Sequence, residues 1–175
     1  MMNKLKENKE NYILVAVAIL ILSLTRLVPH PWNFSPMLAV GVFSGFYFRQ
    51  FYLSSFIVIF SMFIGDLFLG FHNTMFFTYI SLAVAVLIGF SVKRFKFKEI
   101  LLTGLSSSVG FFIITNFGAW LTLEMYVKNF SGLIQSYIMA IPFFHNTLIS
   151  TILYLFIFKL VFDLAIKKKI LKNSF

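Results

Sequence analysis

The chain has 175 residues, of which 59% are hydrophobic and only 12% carry a charge. Soluble domains are about half apolar and a quarter charged, so this composition argues against a soluble protein and indicates a membrane protein. The absence of cysteine excludes disulfides and thiolate metal sites. The net charge of +9 does not indicate nucleic-acid binding, because the cations stand in short clusters beside apolar runs.

Apolar runs separated by polar connections predict an all-α polytopic membrane protein, with six transmembrane helices in one bundle and a single domain over residues 1–175. The predicted spans are about 12–28, 37–48, 51–70, 75–92, 100–122 and 143–166. Gly41 and Gly45 give the second span a face of small residues suited to close helix contact. Thr74 is a fair N-cap for the fourth span. Before the sixth span we expect a short surface helix from Ser131, with Pro142 in the first turn of the span itself.

The distribution of cations predicts the orientation in the membrane. Six spans place both termini on one side, and most cations near span ends lie there: Lys4, Lys6, Lys9, Arg49, Lys93, Arg94, Lys96, Lys98, Lys167, Lys168, Lys169 and Lys172. The other side carries only Arg26 and Lys128. The positive-inside rule therefore predicts cytoplasmic termini. Lys159, within the sixth span, is expected to snorkel or to pair with Asp163.

A polar, proline-rich segment follows the first span: Arg26-Leu-Val-Pro-His-Pro-Trp-Asn-Phe-Ser-Pro36. Each proline fixes its own φ and disfavours helix at the preceding residue, so we expect a rigid, non-helical corner. Other polar residues are expected at the same depth: Asp66, His72, Asn73, Asn116, Glu124, His145 and Asn146. These segments predict one pocket at the outer membrane face. The predicted ligand-binding residues are Arg26, His30, Asn33, Asp66, His72, Asn116, Trp120 and Asn146.

Several of these residues allow two interpretations. Charges at membrane depth are costly, so Arg26 and Asp66 are either a structural ion pair or a pair that contacts a ligand. Trp120 either stacks on a planar ligand or lies in the interfacial aromatic belt. Asn146 is either an N-cap or a partner for a neighbour's backbone.

The spacing of four residues from Asn116 through Trp120 to Glu124 puts all three on one helical face if the fifth span extends that far.

Three histidines, His30, His72 and His145, lie on the predicted outer side in separate segments. Three imidazoles suffice for zinc, cobalt or nickel, but their spacing matches no metal motif, so a metal site is kept only as an alternative and no cofactor is predicted. The sequence has no phosphate loop, Gly-x-Ser-x-Gly or His-Glu-x-x-His motif, so no enzyme is predicted. An intramembrane enzyme using these histidines with Asp66 or Glu124 as acid and base is the remaining alternative.

Five segments carry a resemblance: Arg26-x-x-Pro-His-Pro-x-Asn-Phe-Ser-Pro36, Gly65-Asp66, Gly70-Phe-His72, Asn116-Phe-Gly-x-Trp120 and Ala140-Ile-Pro-Phe-Phe-x-Asn146-Thr147. They resemble a family of uncharacterised six-helix bacterial membrane proteins. That family is distantly similar to the substrate-binding S components of energy-coupling-factor (ECF) vitamin transporters. The S components commonly show an Ala-xxx-Ala docking motif in the first helix, whereas Ala16 and Ala18 are two residues apart here.

This resemblance implies a bundle in the bacterial inner membrane that binds a small vitamin-like solute at its outer face. Transport would then require a membrane coupling subunit and two cytoplasmic ATPases. The predicted function is therefore the substrate-binding component of a transporter, with a small-molecule solute and the lipid bilayer as partners and no nucleic acid. The alternatives are a structural or assembly subunit of cell-envelope machinery, and transition-metal uptake at the outer face.

Overall fold

The structure is a computed structural model that describes residues 13, 15–21 and 24–168, and every regular element in that part of the chain is helical. Helix α1 includes residues 15–21, and a 3-10 turn follows at Leu24–Leu27. The remaining helices are α2 (Met37–Phe48), α3 (Phe51–Leu69), α4 (Met75–Ser91), α5 (Phe97–Thr122) and α6 (Phe130–Lys167). The prediction of an all-α protein with six helices is confirmed.

Three of the described helices, α3, α5 and α6, are long and apolar enough to cross a membrane, with mean hydropathies of 1.9, 1.6 and 2.1. Helices α2 and α4 are apolar but shorter, with 12 and 17 residues, and a straight crossing takes about 20 residues. These helices indicate a membrane protein. Six crossings and cytoplasmic termini stay predictions, and several of the cations used for that prediction lie outside the described residues: Lys4, Lys6, Lys9, Lys169 and Lys172.

Helix α2 is the centre of the fold, and all twelve of its residues are buried. It packs against α3, α4, α5 and α6, so it has no side left for lipid or water. This placement follows from its sequence, because a helix that is apolar on every side is expected in a protein interior. The chain turns directly after α2, since Arg49 adopts a left-handed backbone with φ of 53° and α3 begins at Phe51.

The contact between α2 and α4 is made by small residues on both helices. A Cβ atom on Gly45 would lie 2.1 Å from the carbonyl oxygen of Val86, and one on Gly89 would lie 1.9 Å from that of Val42. Only glycine therefore allows the two backbones to approach this closely. The predicted small-residue face of α2 is confirmed. Because α4 covers it, this face is unavailable to another protein.

Helix α6 differs from the prediction. The predicted surface helix from Ser131 and the separate span from Phe143 form one helix, Phe130–Lys167, with Pro142 inside it. The helix begins earlier because the side chain of Asn129 caps it, accepting a hydrogen bond from the backbone of Gly132 at 2.9 Å.

Pro142 removes one backbone hydrogen bond from α6, but contacts with α5 stabilise the turns before it. The hydroxyls of Ser136 and Tyr137 donate to the carbonyl oxygens of Asn116 and Ile113 at 3.2 and 3.0 Å. Further along α6, the ammonium of Lys159 lies 2.6 Å from the carboxylate of Asp163, which confirms the predicted pair.

Candidate functional site

A cavity of about 440 Å³ lies at the end of the molecule where α2 and α4 begin and where α3 and α5 end. Its apolar walls come from Met37, Leu38, Met62, Leu69, Leu82, Phe111, Ala119 and Leu123. Its polar walls come from Arg26, His30, Asn33, Ser35, His72, Thr74, Thr78, Thr115, Asn116 and Thr147. Five of the eight predicted ligand-binding residues therefore line this single cavity.

The proline-rich corner forms one wall of the cavity through Arg26, His30, Asn33 and Ser35. As predicted, its backbone is not α-helical between the 3-10 turn and Met37. Asn33 has a left-handed backbone with φ of 60°, a conformation that asparagine tolerates better than most residues. The corner thereby reverses the direction of the chain and leads to the start of α2.

Arg26 and Asp66 form the predicted ion pair, with Nη1 and Oδ1 2.7 Å apart. The Asp66 side chain is fully buried and does not line the cavity, whereas the Arg26 side chain retains 15% exposure and does. The hydroxyl of Tyr79 donates to the second carboxylate oxygen of Asp66 at 2.7 Å. Both oxygens of Asp66 are thus bound by protein groups, and its role is to hold Arg26 in place.

Gly65 makes room for this pair. A Cβ atom at this position would lie 3.1 Å from Nη1 of Arg26, so the guanidinium lies directly over the backbone of α3. The Gly65-Asp66 dipeptide therefore supplies both the space for the cation and its carboxylate partner. Sequence reasoning missed Tyr79 as the third member, because an isolated tyrosine in an apolar helix has no distinguishing spacing.

Two of the three histidines reach the cavity. Nδ1 of His30 lies 2.9 Å from the carbonyl oxygen of Pro31, and Nδ1 of His72 lies 2.8 Å from the hydroxyl of Thr74. His145 is exposed and does not line the cavity. Among the described residues no group of three His, Cys, Asp or Glu side chains comes close enough to hold a metal ion. The structure therefore does not assemble the three-histidine metal site that the sequence left as an alternative.

Thr74 occupies the N-cap position of α4, as predicted, but its side chain makes no capping hydrogen bond. Its hydroxyl contacts the imidazole of His72 instead. This contact fixes the ring of His72 at the cavity wall, so Thr74 contributes to the site more than to the helix end.

Asn116 lies on the cavity wall near the end of α5. Its side-chain amide donates to the carbonyl oxygen of Phe112 at 2.8 Å, one turn earlier. The amide oxygen makes no hydrogen bond within the described part of the chain and remains available as an acceptor. A second, smaller cavity of about 90 Å³ adjoins this position and shares five lining residues with the first: Asn33, Phe111, Thr115, Asn116 and Thr147.

Of the three residues spaced by four, Asn116 and Trp120 lie in α5, but only Asn116 lines the cavity. Helix α5 ends at Thr122, so Glu124 lies beyond it and is exposed. The indole of Trp120 donates to the carbonyl oxygen of Val127 at 3.0 Å, and Trp120 is absent from the cavity wall. Lys128 donates to the carbonyl oxygens of Trp120 and Leu123. Trp120 and Lys128 therefore hold the loop between α5 and α6.

Asn146 also lies outside the cavity wall. It is inside α6 and so is not an N-cap, but its side-chain amide donates to the carbonyl oxygen of Trp32 at 3.0 Å. The second interpretation of Asn146, as a partner for a neighbour's backbone, is therefore confirmed. Asn146 ties the proline-rich corner to α6.

Hydroxyl residues complete the wall, and sequence reasoning missed them. Thr74 and Thr78 lie four residues apart and so share one face at the start of α4. Thr115 and Thr147 donate to the carbonyl oxygens of Phe111 and Phe143 in their own helices, at 2.8 and 3.4 Å. Back-bonded hydroxyls are common in apolar helices, so their sequence carried no signal of a site.

Residues 6–173 match the family of unknown function DUF6580, and the chain belongs to that family. The predicted membership of an uncharacterised family is thereby confirmed. No curated protein and no solved structure matches the chain significantly. The likeness to the S components of ECF transporters stays a prediction.

Proposed function

We propose that this member of the DUF6580 family binds a small solute in the cavity beside the proline-rich corner, as the substrate-binding component of a membrane transporter. The observation that supports binding is the convergence of polar side chains from separate parts of the chain on one cavity of about 440 Å³. Sites for small molecules have volumes of roughly 300–1,000 Å³ and combine apolar walls with a few polar groups. This cavity has both properties.

The cavity offers donors and acceptors to a solute. Arg26 supplies donors, and the amide oxygen of Asn116 is an acceptor. The hydroxyls of Thr115 and Thr147 donate to their own helices, which leaves their lone pairs for other partners. A polar ligand in the cavity can therefore form hydrogen bonds with these donors and acceptors.

We place the cavity at the outer face of the bacterial inner membrane, with both termini in the cytoplasm. Support comes from the described cations at the opposite end of the helices. Arg49 follows the end of α2, and a basic segment of residues 93–98 covers the connection after α4 and the start of α5. The positive-inside rule assigns that end to the cytoplasm.

Transport requires an energy source that the chain does not supply, since the sequence has no phosphate-binding loop. We propose a membrane coupling subunit with cytoplasmic ATPases, as in the ECF transporters whose S components the chain resembles. Such a partner would contact a surface other than the Gly41 and Gly45 face, because α4 already covers that face.

The test is a thermal-shift screen of the purified protein against vitamins and their precursors. For any compound that stabilises the protein, we expect Asn116→Leu to weaken binding about tenfold, because the substitution removes a hydrogen-bonding amide but keeps its approximate volume. Asn73→Leu is the matched control, since Asn73 is exposed and does not line the cavity. Unchanged affinity in Asn116→Leu would refute this site.

The same experiments separate this proposal from a structural role in the cell envelope. A structural subunit would show no ligand in the screen, and crosslinking in cells would recover proteins of wall synthesis. That combination of results would replace the proposed function with the structural alternative.

A further inference from the structure

One edge of the Arg26 guanidinium makes no hydrogen bond within the described part of the chain. Nη1 donates hydrogen bonds to the carboxylate of Asp66 at 2.7 Å and to the carbonyl oxygen of Met62 at 3.4 Å. Within the described part of the chain Nε and Nη2 have no hydrogen-bond partner. In arginine these two nitrogens form a planar fork whose two N–H groups match the two oxygens of a carboxylate.

The charges around the cavity do not oppose an anion. Of the described side chains on its walls none is acidic, and the ionisable ones among them are Arg26, His30 and His72. The Asp66 carboxylate is fully buried behind Arg26, with both oxygens bound by Arg26 and Tyr79. An anion in the cavity would therefore lie closer to the donors of Arg26 than to the negative charge of Asp66.

The helix dipoles contribute little to this preference. The positive amino-terminal ends of α2 and α4 lie at the cavity, but so do the negative carboxyl-terminal ends of α3 and α5. Their fields largely offset each other. The side chains, and Arg26 above all, decide which ligand charge the cavity favours.

The floor of the cavity is apolar. Met37, Leu38, Met62 and Leu82 line it, and each is at most 5% exposed. Arg26 contacts α3 at Met62 and at Asp66. Asp66 lies one helical turn nearer to the rim of the cavity than Met62. A ligand bound to Arg26 can therefore extend an apolar body onto this floor, where burial stabilises it.

We propose that the ligand of this cavity is a small monocarboxylate with a largely apolar body, bound through the Nε and Nη2 edge of Arg26 while Asp66 and Tyr79 position the guanidinium. This inference rests on the proposed function, since it names the chemical class of the solute. Arg26 is a ligand-binding residue in this assignment. Asp66 and Tyr79 are positioning residues that do not touch the ligand.

The test uses sets of three probes with one carbon skeleton each: hexanoate, hexanamide and hexylamine, and 3-phenylpropionate, 3-phenylpropanamide and 3-phenylpropylamine. Each probe is titrated by thermal shift against the full-length protein in phosphatidylcholine nanodiscs. Small molecules released from the protein on denaturation are identified by mass spectrometry. We expect the acids to bind at least about tenfold more tightly than the matched amides and amines, and the released molecules to be carboxylates.

Arg26→Lys is the informative variant, because lysine keeps a positive charge beside Asp66 but lacks the planar fork. We expect it to fold and to lose most of the preference for acids. Arg49→Lys is the matched control at the opposite end of α2, where Nη1 of Arg49 donates to the carbonyl oxygen of Phe90. This variant should keep the preference of the wild type.

Tighter binding of the amides or amines, or equal binding in Arg26→Lys, would overturn this inference and leave the proposed function standing. If no probe binds and no small molecule is released, this inference fails; the proposed function fails with it only if the vitamin screen also finds no ligand. A further arm adds phosphatidylglycerol to the nanodiscs. Stabilisation by that lipid alone, lost in Arg26→Lys, would assign the fork to a lipid phosphate and would overturn a carboxylate solute.

Discussion

The two ends of α2 have different surroundings. Toward its carboxyl-terminal end, glycines at 45 and 89 bring the backbones into direct contact. At its amino-terminal end, the larger side chains of Met37 and Leu38 line the cavity together with Thr78 and Leu82 of α4. The same pair of helices is therefore closed at one end and lines a cavity at the other.

One added methyl group should disrupt the close contact between α2 and α4. Gly89→Ala places a Cβ atom 1.9 Å from the carbonyl oxygen of Val42, so α2 and α4 must separate. We expect the free energy of unfolding to fall by about 4 kcal/mol, in the range that overpacking reaches at sites unable to relax. Denaturant unfolding of the purified protein in detergent measures the change.

Gly110→Ala is the control for that substitution. A Cβ atom at Gly110 would lie 3.8 Å from the nearest side chain, that of Val84, which is ordinary van der Waals contact. Because alanine favours helix over glycine by roughly 1 kcal/mol, this variant should be at least as stable as the wild type. Equal stability of the two variants would mean that the close contact between α2 and α4 does not form.

At the open end, stability depends on the buried ion pair. Asp66→Ala leaves the guanidinium of Arg26 without its carboxylate, and we expect a loss of about 3 kcal/mol, at the low end for a broken buried pair because Arg26 remains partly exposed. Asp163→Ala is the control. Its pair with Lys159 is largely exposed, so its removal should cost less than about 0.5 kcal/mol. Similar losses in both variants would show that Asp66 is not buried as described.

The smallest effect concerns the corner above the cavity. Asn146→Ala removes the hydrogen bond to the carbonyl oxygen of Trp32, and we expect a loss of about 1 kcal/mol. The neighbouring exposed residue provides the control, as His145→Ala should change the unfolding free energy by less than about 0.5 kcal/mol. A larger loss in His145→Ala than in Asn146→Ala would contradict the assigned contact.

The helix α2 and the ion pair show what sequence reasoning could reach. The bounds 37–48 follow from local signals, since prolines end the preceding corner and a polar pair, Arg49 and Gln50, ends the apolar run. The pairing of Arg26 with Asp66 follows from the cost of charge at membrane depth. Both predictions rest on free-energy costs that do not depend on the positions of the neighbouring helices.

Trp120 and Pro142 show why other predictions failed or stayed open. Trp120 is turned to the loop between α5 and α6 by Val127, and Pro142 stays within α6 because the turns before it bond to α5. Both outcomes depend on partners outside the helix concerned. Periodicity describes one helix at a time, so it does not contain this information.

By itself the sequence determined the helical class, the proline-rich corner and the residues whose polarity demands a partner, because these follow from local backbone sterics and from the cost of burying polar groups. Only the tertiary structure decided that α4 covers the glycine face of α2, that Asp66 lies behind Arg26, and that His145 is separate from His30 and His72. Those outcomes depend on how side chains of different sizes space neighbouring helices, which is a property of pairs of helices and not of one.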